Sequence, residues 1–291
     1  MSKKKNAASA EMAEMEVSKG TAIVMTVVYS ILALIFVFPI FLVFMNSFKS
    51  KIYISNEPFA LPVGTMFVGL ENYIGGIAKT GLPAAAGYSI FITVFSVALI
   101  VLLTSMTAWW LTRVKSRISS VLYYAFVFAM IVPFQMVMFT LAKVTDMLDL
   151  GNPIGIIVVY VGFGCGLSVF MFSGFVKAIP ISLEEAAMID GCTPIQTFFR
   201  VVFPVLKPTA ITVAILNAMW IWNDYLLPLL VLGNSYRTIP MAVQYLRGGY
   251  GSVDMGAMMG MLVLAILPII IFYLRCQKYI IKGVAAGAVK G

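Results

Sequence analysis

SLEEAAMIDGCTPIQTFFRVVFP, from Ser182 to Pro204, is a polar segment between two very hydrophobic ones. Ser182 and Glu185 have the S-x-x-E spacing of a capping box, which predicts a helix start. Gly191 predicts a left-handed helix end, because glycine adopts positive φ without steric cost. The first half of the segment therefore predicts a short helix that ends at this glycine.

The second half of the segment predicts another short helix. Thr193 and Gln196 form a further capping box, and Pro194 takes the first helical position. Pro204 is expected to end this helix. Apolar residues at helical spacing predict one buried stripe, made of Ile195, Phe198, Phe199 and Val202.

The composition excludes an ordinary soluble domain. The chain is 61% hydrophobic and 11% charged, with a mean hydropathy of +0.99, whereas average globular chains carry about 25% charged residues. Runs long enough to cross a bilayer, which takes about 20 residues, occur near Ile23–Met45, Tyr88–Leu111, Ser120–Leu141, Ile154–Phe175, Pro208–Leu232 and Met255–Ile280. These runs predict an all-α polytopic membrane protein with six transmembrane helices.

The basic residues predict the orientation. Of the 20 Lys and Arg residues, fourteen lie in the segments that share a side with the N-terminus and six on the other side. The positive-inside rule places both termini, and the loop 178–207 between spans 4 and 5, in the cytoplasm. We expect a mobile cytoplasmic tail at 1–20, a transmembrane domain at 21–282 and a cytoplasmic tail at 283–291.

The chain lacks the residues that several kinds of catalytic and metal-binding site require. The chain has no histidine, no G-x-x-x-x-G-K-[ST] phosphate loop, and only three scattered cysteines. We therefore expect neither an enzyme nor a metal or cofactor site in this chain. If the chain transports a solute, its energy comes from another chain, and the cytoplasmic loop is the expected place of entry.

Asp224 is the one acid placed inside a predicted span, where an ionisable residue is costly and a functional candidate. Together with Asn223 and Tyr225 it could line a path for a sugar-sized solute, or it could bond a neighbouring helix. Gln135, after Pro133, is a second polar candidate with the same two interpretations. Prolines in or near the spans permit either ordinary kinks or hinges; they are Pro39, Pro133, Pro228 and Pro268.

The pattern Glu185-Ala186-Ala187, Gly191 and Val201-x-Phe203-Pro204 resembles the EAA loop of bacterial ABC importer permeases. Val201 and Phe203 are apolar departures from the usual isoleucine and leucine. Other segments resemble the carbohydrate-uptake, maltose-permease-like branch and its smaller six-span subunit: Asn46–Lys49, Leu70–Tyr73, Pro133–Gln135, Leu150–Asn152, Trp222–Tyr225 and Gly287–Gly291.

This resemblance implies a permease subunit of the bacterial inner membrane that imports a sugar or oligosaccharide by alternating access. The implied partners are a second permease subunit, two cytosolic ATPase subunits that bind ATP and Mg, and an extracytoplasmic solute-binding protein. The tail residues Lys290 and Gly291 would also contact the ATPase. The implied docking surface for the ATPase comprises Glu184, Glu185, Ala186, Ala187, Asp190, Gly191 and Pro204.

Two other functions remain open from the sequence. A secondary carrier could use Asp224 to couple uptake to protons. A membrane scaffold or assembly subunit would have no solute path.

Overall fold

The computed structural model describes residues 18–246 and 253–288, the segment 279–288 by its backbone alone. Within these residues the regular structure is helical, apart from one isolated bridge between Lys49 and Phe67. The predicted all-α fold is confirmed. Five described helices are long and apolar enough to cross a membrane, or six if one bent pair forms a single span.

Four of the predicted spans correspond to single long helices, α1, α4, α7 and α13. A 3₁₀ turn at Gly64–Met66 and a π-helical turn at Phe198–Val202 complete the regular structure of the described residues. In chain order the α-helices are α1 Lys19–Asn46, α2 Lys51–Asn56, α3 Glu71–Thr80, α4 Leu82–Arg113, α5 Arg117–Ile131, α6 Phe134–Met147, α7 Pro153–Val176, α8 Ile181–Ile189, α9 Pro194–Thr197, α10 Phe203–Asn223, α11 Leu226–Leu232, α12 Ile239–Tyr245 and α13 Met255–Ala288.

The third predicted span, Ser120–Leu141, is wrong as a single helix. Helices α5 and α6 meet at an angle of 105°. Pro133 lacks a backbone N–H, and Val132 before it is extended, with ψ 118°, as residues before proline prefer. Because α5 has only 15 residues, about 22 Å of helix, it is too short to cross the hydrocarbon core alone.

The fifth predicted span, Pro208–Leu232, has wrong boundaries at both ends. A continuous helical run extends from Pro194 to Asn223, and a break at Asp224 and Tyr225 separates it from α11. The acid that was expected inside a helix therefore lies between two helices.

The core lies where α4, α7 and α10 pack together, and α4 with α7 forms the most extensive helix pair. Gly164 permits their close approach, because a Cβ there would lie 2.6 Å from Ile100 Cδ1 and 3.0 Å from Asn217 Oδ1. The Asn217 amide donates to Ser168 Oγ at 3.1 Å. Small residues and buried polar bonds are typical of helix packing in membranes.

The outer end is tied together by side chains that bond backbone carbonyls. Asn72 Nδ2 donates to the carbonyls of Ser47 and Lys49, each at 2.8 Å. Lys49 is fully buried, and its ammonium donates to the Glu57 carbonyl at 2.8 Å. Burial lowers the pKa of Lys49, and the nearby Glu57 opposes that shift. Two segments that carry the family resemblance are thus one structural unit.

Candidate functional site

The polar island, which we define as residues 181–204, begins with α8. Pro180 is the N-cap of this helix, and no side chain caps it. The predicted capping box of Ser182 and Glu185 is therefore wrong. Proline has no N–H to satisfy and is tolerated at a helix start, so the helix begins ahead of Ser182, which then lies inside the first turn.

Gly191 ends α8 as predicted. Its φ is +84°, in the left-handed region that favours glycine. The N–H of Gly191 donates to the Met188 carbonyl at 3.0 Å, and the N–H of Cys192 donates to the Ala187 carbonyl at 2.9 Å. These bonds satisfy carbonyls that the helix end would otherwise leave open, so the turn between α8 and α9 is well defined.

The second capping box is confirmed. The Gln196 N–H donates to Thr193 Oγ1 at 3.3 Å, and the Thr193 N–H donates to Gln196 Oε1 at 2.9 Å. The predicted apolar stripe is half right, because Phe198 and Val202 are fully buried while Ile195 is 65% exposed and Phe199 is also exposed.

Pro204 does not end the second helix, which corrects the sequence prediction. The π-helical turn Phe198–Val202 lies just before it, and the chain continues directly into α10. The wider turn accommodates a ring that would clash with the carbonyl four residues earlier in a regular α-helix. The island is therefore continuous with a membrane-spanning helix.

Glu184 fixes the other helix of the island to the membrane bundle. Arg113, the last residue of α4, donates from Nε and Nη2 to Glu184 Oε1 at 2.9 and 2.7 Å. Trp109 Nε1, one turn earlier on α4, donates to Glu184 Oε2 at 2.9 Å. Arg113 Nη2 also donates to the Ile179 carbonyl at 2.9 Å. We call this cluster of Trp109, Arg113 and Glu184 the inner joint.

The inner joint changes the predicted docking surface. Glu184 is 4% exposed and Ala187 is 7% exposed, so both side chains contact the chain's own helices. The other predicted docking residues lie at the surface, and four apolar side chains of the island are exposed as well: Leu183, Met188, Ile189 and Ile195. The exposed members of the predicted set are Glu185, Ala186, Asp190, Gly191 and Pro204.

Sequence reasoning missed Arg113 and Trp109. Because 71 residues separate Arg113 from Glu184, no local spacing indicates their pairing. The one available signal was that Arg113 follows one predicted apolar span and Glu184 follows another.

Asp224 caps α11 and bonds a neighbouring helix. Its Oδ1 accepts from the N–H groups of Leu226 and Leu227 at 3.1 and 3.4 Å. Its Oδ2 accepts from the Tyr160 hydroxyl of α7 at 3.1 Å. This geometry favours the interpretation in which the acid holds helices together, and sequence reasoning had not identified Tyr160.

The remaining predicted path residues do not gather into one polar site. Asn223 is exposed and its amide donates to the Met219 carbonyl of its own helix at 2.7 Å. Tyr225 is partly buried beside Asp224. Gln135, the second polar candidate, is exposed on α6. Lys290 and Gly291, the predicted tail contact, lie outside the described residues.

A model of one protein family matches residues 96–286, which include the inner joint and the island. Its description is binding-protein-dependent transport system inner membrane component. The chain belongs to this family. As a member of it, the chain is a multi-pass inner membrane component of a transport system, which confirms the predicted location and the predicted class of transport permease.

Individual relatives agree with this family over most of the chain. The probable starch degradation products transport system permease protein AmyC of Thermoanaerobacterium thermosulfurigenes is 40% identical over 261 residues, covering 89% of this chain and 94% of the relative. The multiple sugar-binding transport system permease protein MsmG of Streptococcus mutans is 35% identical over 257 residues, covering 87% and 91%.

A solved structure also matches this inner membrane component. It is a bacterial ABC transporter involved in the import of the acidic polysaccharide alginate. The matching chain has a TM-score of 0.73 and 26% sequence identity, with 89% of this chain and 95% of that chain covered. The predicted resemblance to ABC importer permeases is thereby confirmed.

Proposed function

We propose that this chain is a permease subunit of an ATP-driven importer that takes up a sugar or oligosaccharide. Family membership establishes the transport role, and the names of the relatives support carbohydrate as the solute. The observation that carries the mechanism is the rigid polar island. One of its helices is pinned to α4 by the inner joint, and the other continues into α10.

This arrangement suits a coupling element. A push on the exposed face of α8 is transmitted to α4 through a buried ion pair, and a push on α9 reaches α10 through unbroken helix. Both spans belong to the packed core of the bundle. An element of this kind can pass the motion of a partner to a solute path without dissipating it in a flexible loop.

The partners of the proposed importer are those that the resemblance to ABC importer permeases implies. Two cytosolic ATPase subunits would bind ATP and Mg and dock on the exposed island residues. A second permease subunit would form the other half of the path, and an extracytoplasmic binding protein would deliver the solute. Lys290 and Gly291 would add a contact to the ATPase subunits.

The first test replaces Glu185, an exposed island acid whose side chain has no hydrogen bond or ion pair in the described residues, so we expect its loss to leave the fold intact. Glu185→Ala should lower uptake and ATPase stimulation several-fold in cells or vesicles that hold the complete complex. Asp146→Ala serves as the control, because it removes an exposed acid outside the island, in the last turn of α6. Normal coupled transport in Glu185→Ala would contradict the docking role.

Two further measurements separate the other candidate functions. Uptake that persists without any ATPase partner and collapses with a protonophore would favour a proton-coupled carrier. The structure gives that carrier no support, because both carboxylate oxygens of Asp224 already accept hydrogen bonds, from the Leu226 N–H and from the Tyr160 hydroxyl. Purification in a complex without ATPase subunits would favour a scaffold.

A further inference from the structure

A small polar cavity of about 210 Å³ lies at the inner end of the bundle. We call it the inner-leaflet cavity. It is bordered by the end of α4, the first two turns of α5 and the end of α7. Its described lining carries hydroxyl groups from all three helices and the ammonium of Lys177, but no carboxylate.

The hydroxyls of this cavity fall into two groups. Thr112 Oγ1 donates to the carbonyl of Ala108, and Ser120 Oγ donates to that of Ser116, so their protons are already used within the helices. Ser173 differs. It is 2% exposed, and its Oγ has no hydrogen-bond partner in the described residues. A buried hydroxyl without a partner is unfavourable, so an acceptor that reaches Ser173 from the cavity would remove this cost.

The charge around the cavity shows what kind of acceptor fits. Lys177 is exposed, and its ammonium lies 5.6 Å from the centre of the Tyr123 ring without an ion-pair partner among the described residues. The positive end of the α5 dipole begins at Arg117, beside the cavity. The unpartnered hydroxyl of Ser173, the ammonium of Lys177 without an ion pair, and the lack of an acid in the described lining together favour an anion.

The position of the cavity selects the source of that anion. It lies at the cytoplasmic interface, where anionic headgroups of the inner leaflet are concentrated and basic pockets between spans bind them. The side chains of α5 next to it are apolar and strongly exposed, with Ile118 at 68%, Val121 at 67% and Tyr124 at 69%. These side chains offer a surface for an acyl chain directly beside the polar cavity.

We propose that the inner-leaflet cavity binds the phosphate group of an anionic phospholipid from the cytoplasmic leaflet. Ser173 donates its unused O–H and Lys177 supplies the charge, while the acyl chains lie along α5. Helix ends that enclose the cavity also carry the inner joint and the start of the island. Bound lipid would therefore stiffen the region that connects α4, α5 and α7.

The test measures lipid retained by the purified complex that contains the full chain. The complex is equilibrated with dioleoylphosphatidylglycerol and dioleoylphosphatidylcholine, and the bound lipid is counted by native mass spectrometry. Retention of phosphatidylglycerol should fall about five-fold in Lys177→Gln and about three-fold in Ser173→Ala. Lys115→Gln removes a matched exposed charge outside the cavity and should retain the wild-type amount.

The possible results are decisive for the lipid site and do not depend on transport. Equal losses in Lys177→Gln and Lys115→Gln would overturn the site in favour of general surface charge. Unchanged retention in both cavity variants would also overturn it. If the wild-type complex retains no phosphatidylglycerol but binds inorganic phosphate in a Lys177-dependent way, the cavity takes free phosphate and the lipid assignment fails.

Discussion

Ion pairs join neighbouring helices at opposite ends of the molecule, and two of them differ in the properties that decide strength. At the inner end, the Arg113 and Glu184 side chains are 17% and 5% exposed and are joined through two guanidinium N–H groups. At the outer end, Lys79 of α3 meets Asp254 before α13, with side chains 59% and 31% exposed. Water and salt weaken the outer pair far more than the inner one.

The difference in burial between the two ion pairs indicates that the inner end of the molecule is held more rigidly than the outer end. The inner pair connects the island to the core and is additionally bonded by Trp109, so it holds one geometry. The outer pair joins α3 to the residue before α13 and is exposed to water. We expect mutations at the two ends to separate accordingly.

The largest effect is expected for Glu184→Ala. Removing one partner of a buried pair leaves an uncompensated charge, which costs about 3–5 kcal/mol. The thermal midpoint of the purified complex should fall strongly, together with uptake. Glu185→Ala, at the neighbouring exposed position, should change stability by less than about 0.5 kcal/mol. Equal stability of the two variants would show that the inner joint does not fasten the island.

A smaller effect is expected for Asp224→Ala, which removes the cap of α11 and the bond from Tyr160. Asp224 lies one residue before the N-cap residue Tyr225, and losing its bonds to the first two helical N–H groups is expected to cost about 1 kcal/mol. Asp224→Asn keeps the capping oxygen and should recover most of this stability in the same melting measurement. If Asp224→Ala instead abolishes uptake while stability and assembly stay normal, Asp224 belongs to the solute path.

Gly191→Ala should destabilise the island by about 1–2 kcal/mol, because an L-residue is strained at a φ of +84°. Gly174→Ala is the matched control, since a Cβ at Gly174 meets open space and its φ is not in the left-handed region. Limited proteolysis of the island can compare the two. Equal protection would mean that α8 can end without a left-handed residue.

The smallest effect is expected for Lys79→Ala, below about 1 kcal/mol and reduced further by salt. Burial raises the pKa of Asp254, but hydrogen bonds from Lys79 and the Ala257 N–H outweigh it and leave the pKa lowered. A lowered folded pKa means that stability is present above the unfolded value and lost as the pH falls through the folded one. Melting midpoints below about pH 4 should therefore fall less in Lys79→Ala than in the wild type. If the melting midpoints of the wild type and Lys79→Ala depend on pH in the same way, the Lys79–Asp254 pair does not contribute to stability.

Local signals explain what the sequence predicted correctly. Gly191 and the capping box of Thr193 and Gln196 depend on neighbours within three residues, and they stand as expected. Long apolar runs likewise predicted α1, α4, α7 and α13, because length and hydropathy alone decide whether a helix can span a bilayer.

Long-range pairing explains most of what the sequence could not predict. Glu184 and Asp224 are fixed by Arg113 and Tyr160, which lie on other helices more than sixty residues away. No local pattern carries that information, so a buried Glu184 looked like a surface acid. Prolines show a second limit of prediction from sequence, because the same residue type has two different effects here. Pro133 lies at a sharp bend between two helices, whereas Pro204 is accommodated by a π-helical turn.

That π-helical turn has a consequence for how such chains can vary in length. Its bonds run from residue i to i+5, so Phe198–Val202 holds one residue more than an α-helix needs to cover the same rise. A single deletion inside the turn would return it to α-helical bonding and bring the Pro204 ring against the carbonyl four residues before it. Shortening the chain at this turn is therefore expected to bend the island against α10, so the extra residue fixes the length of this segment.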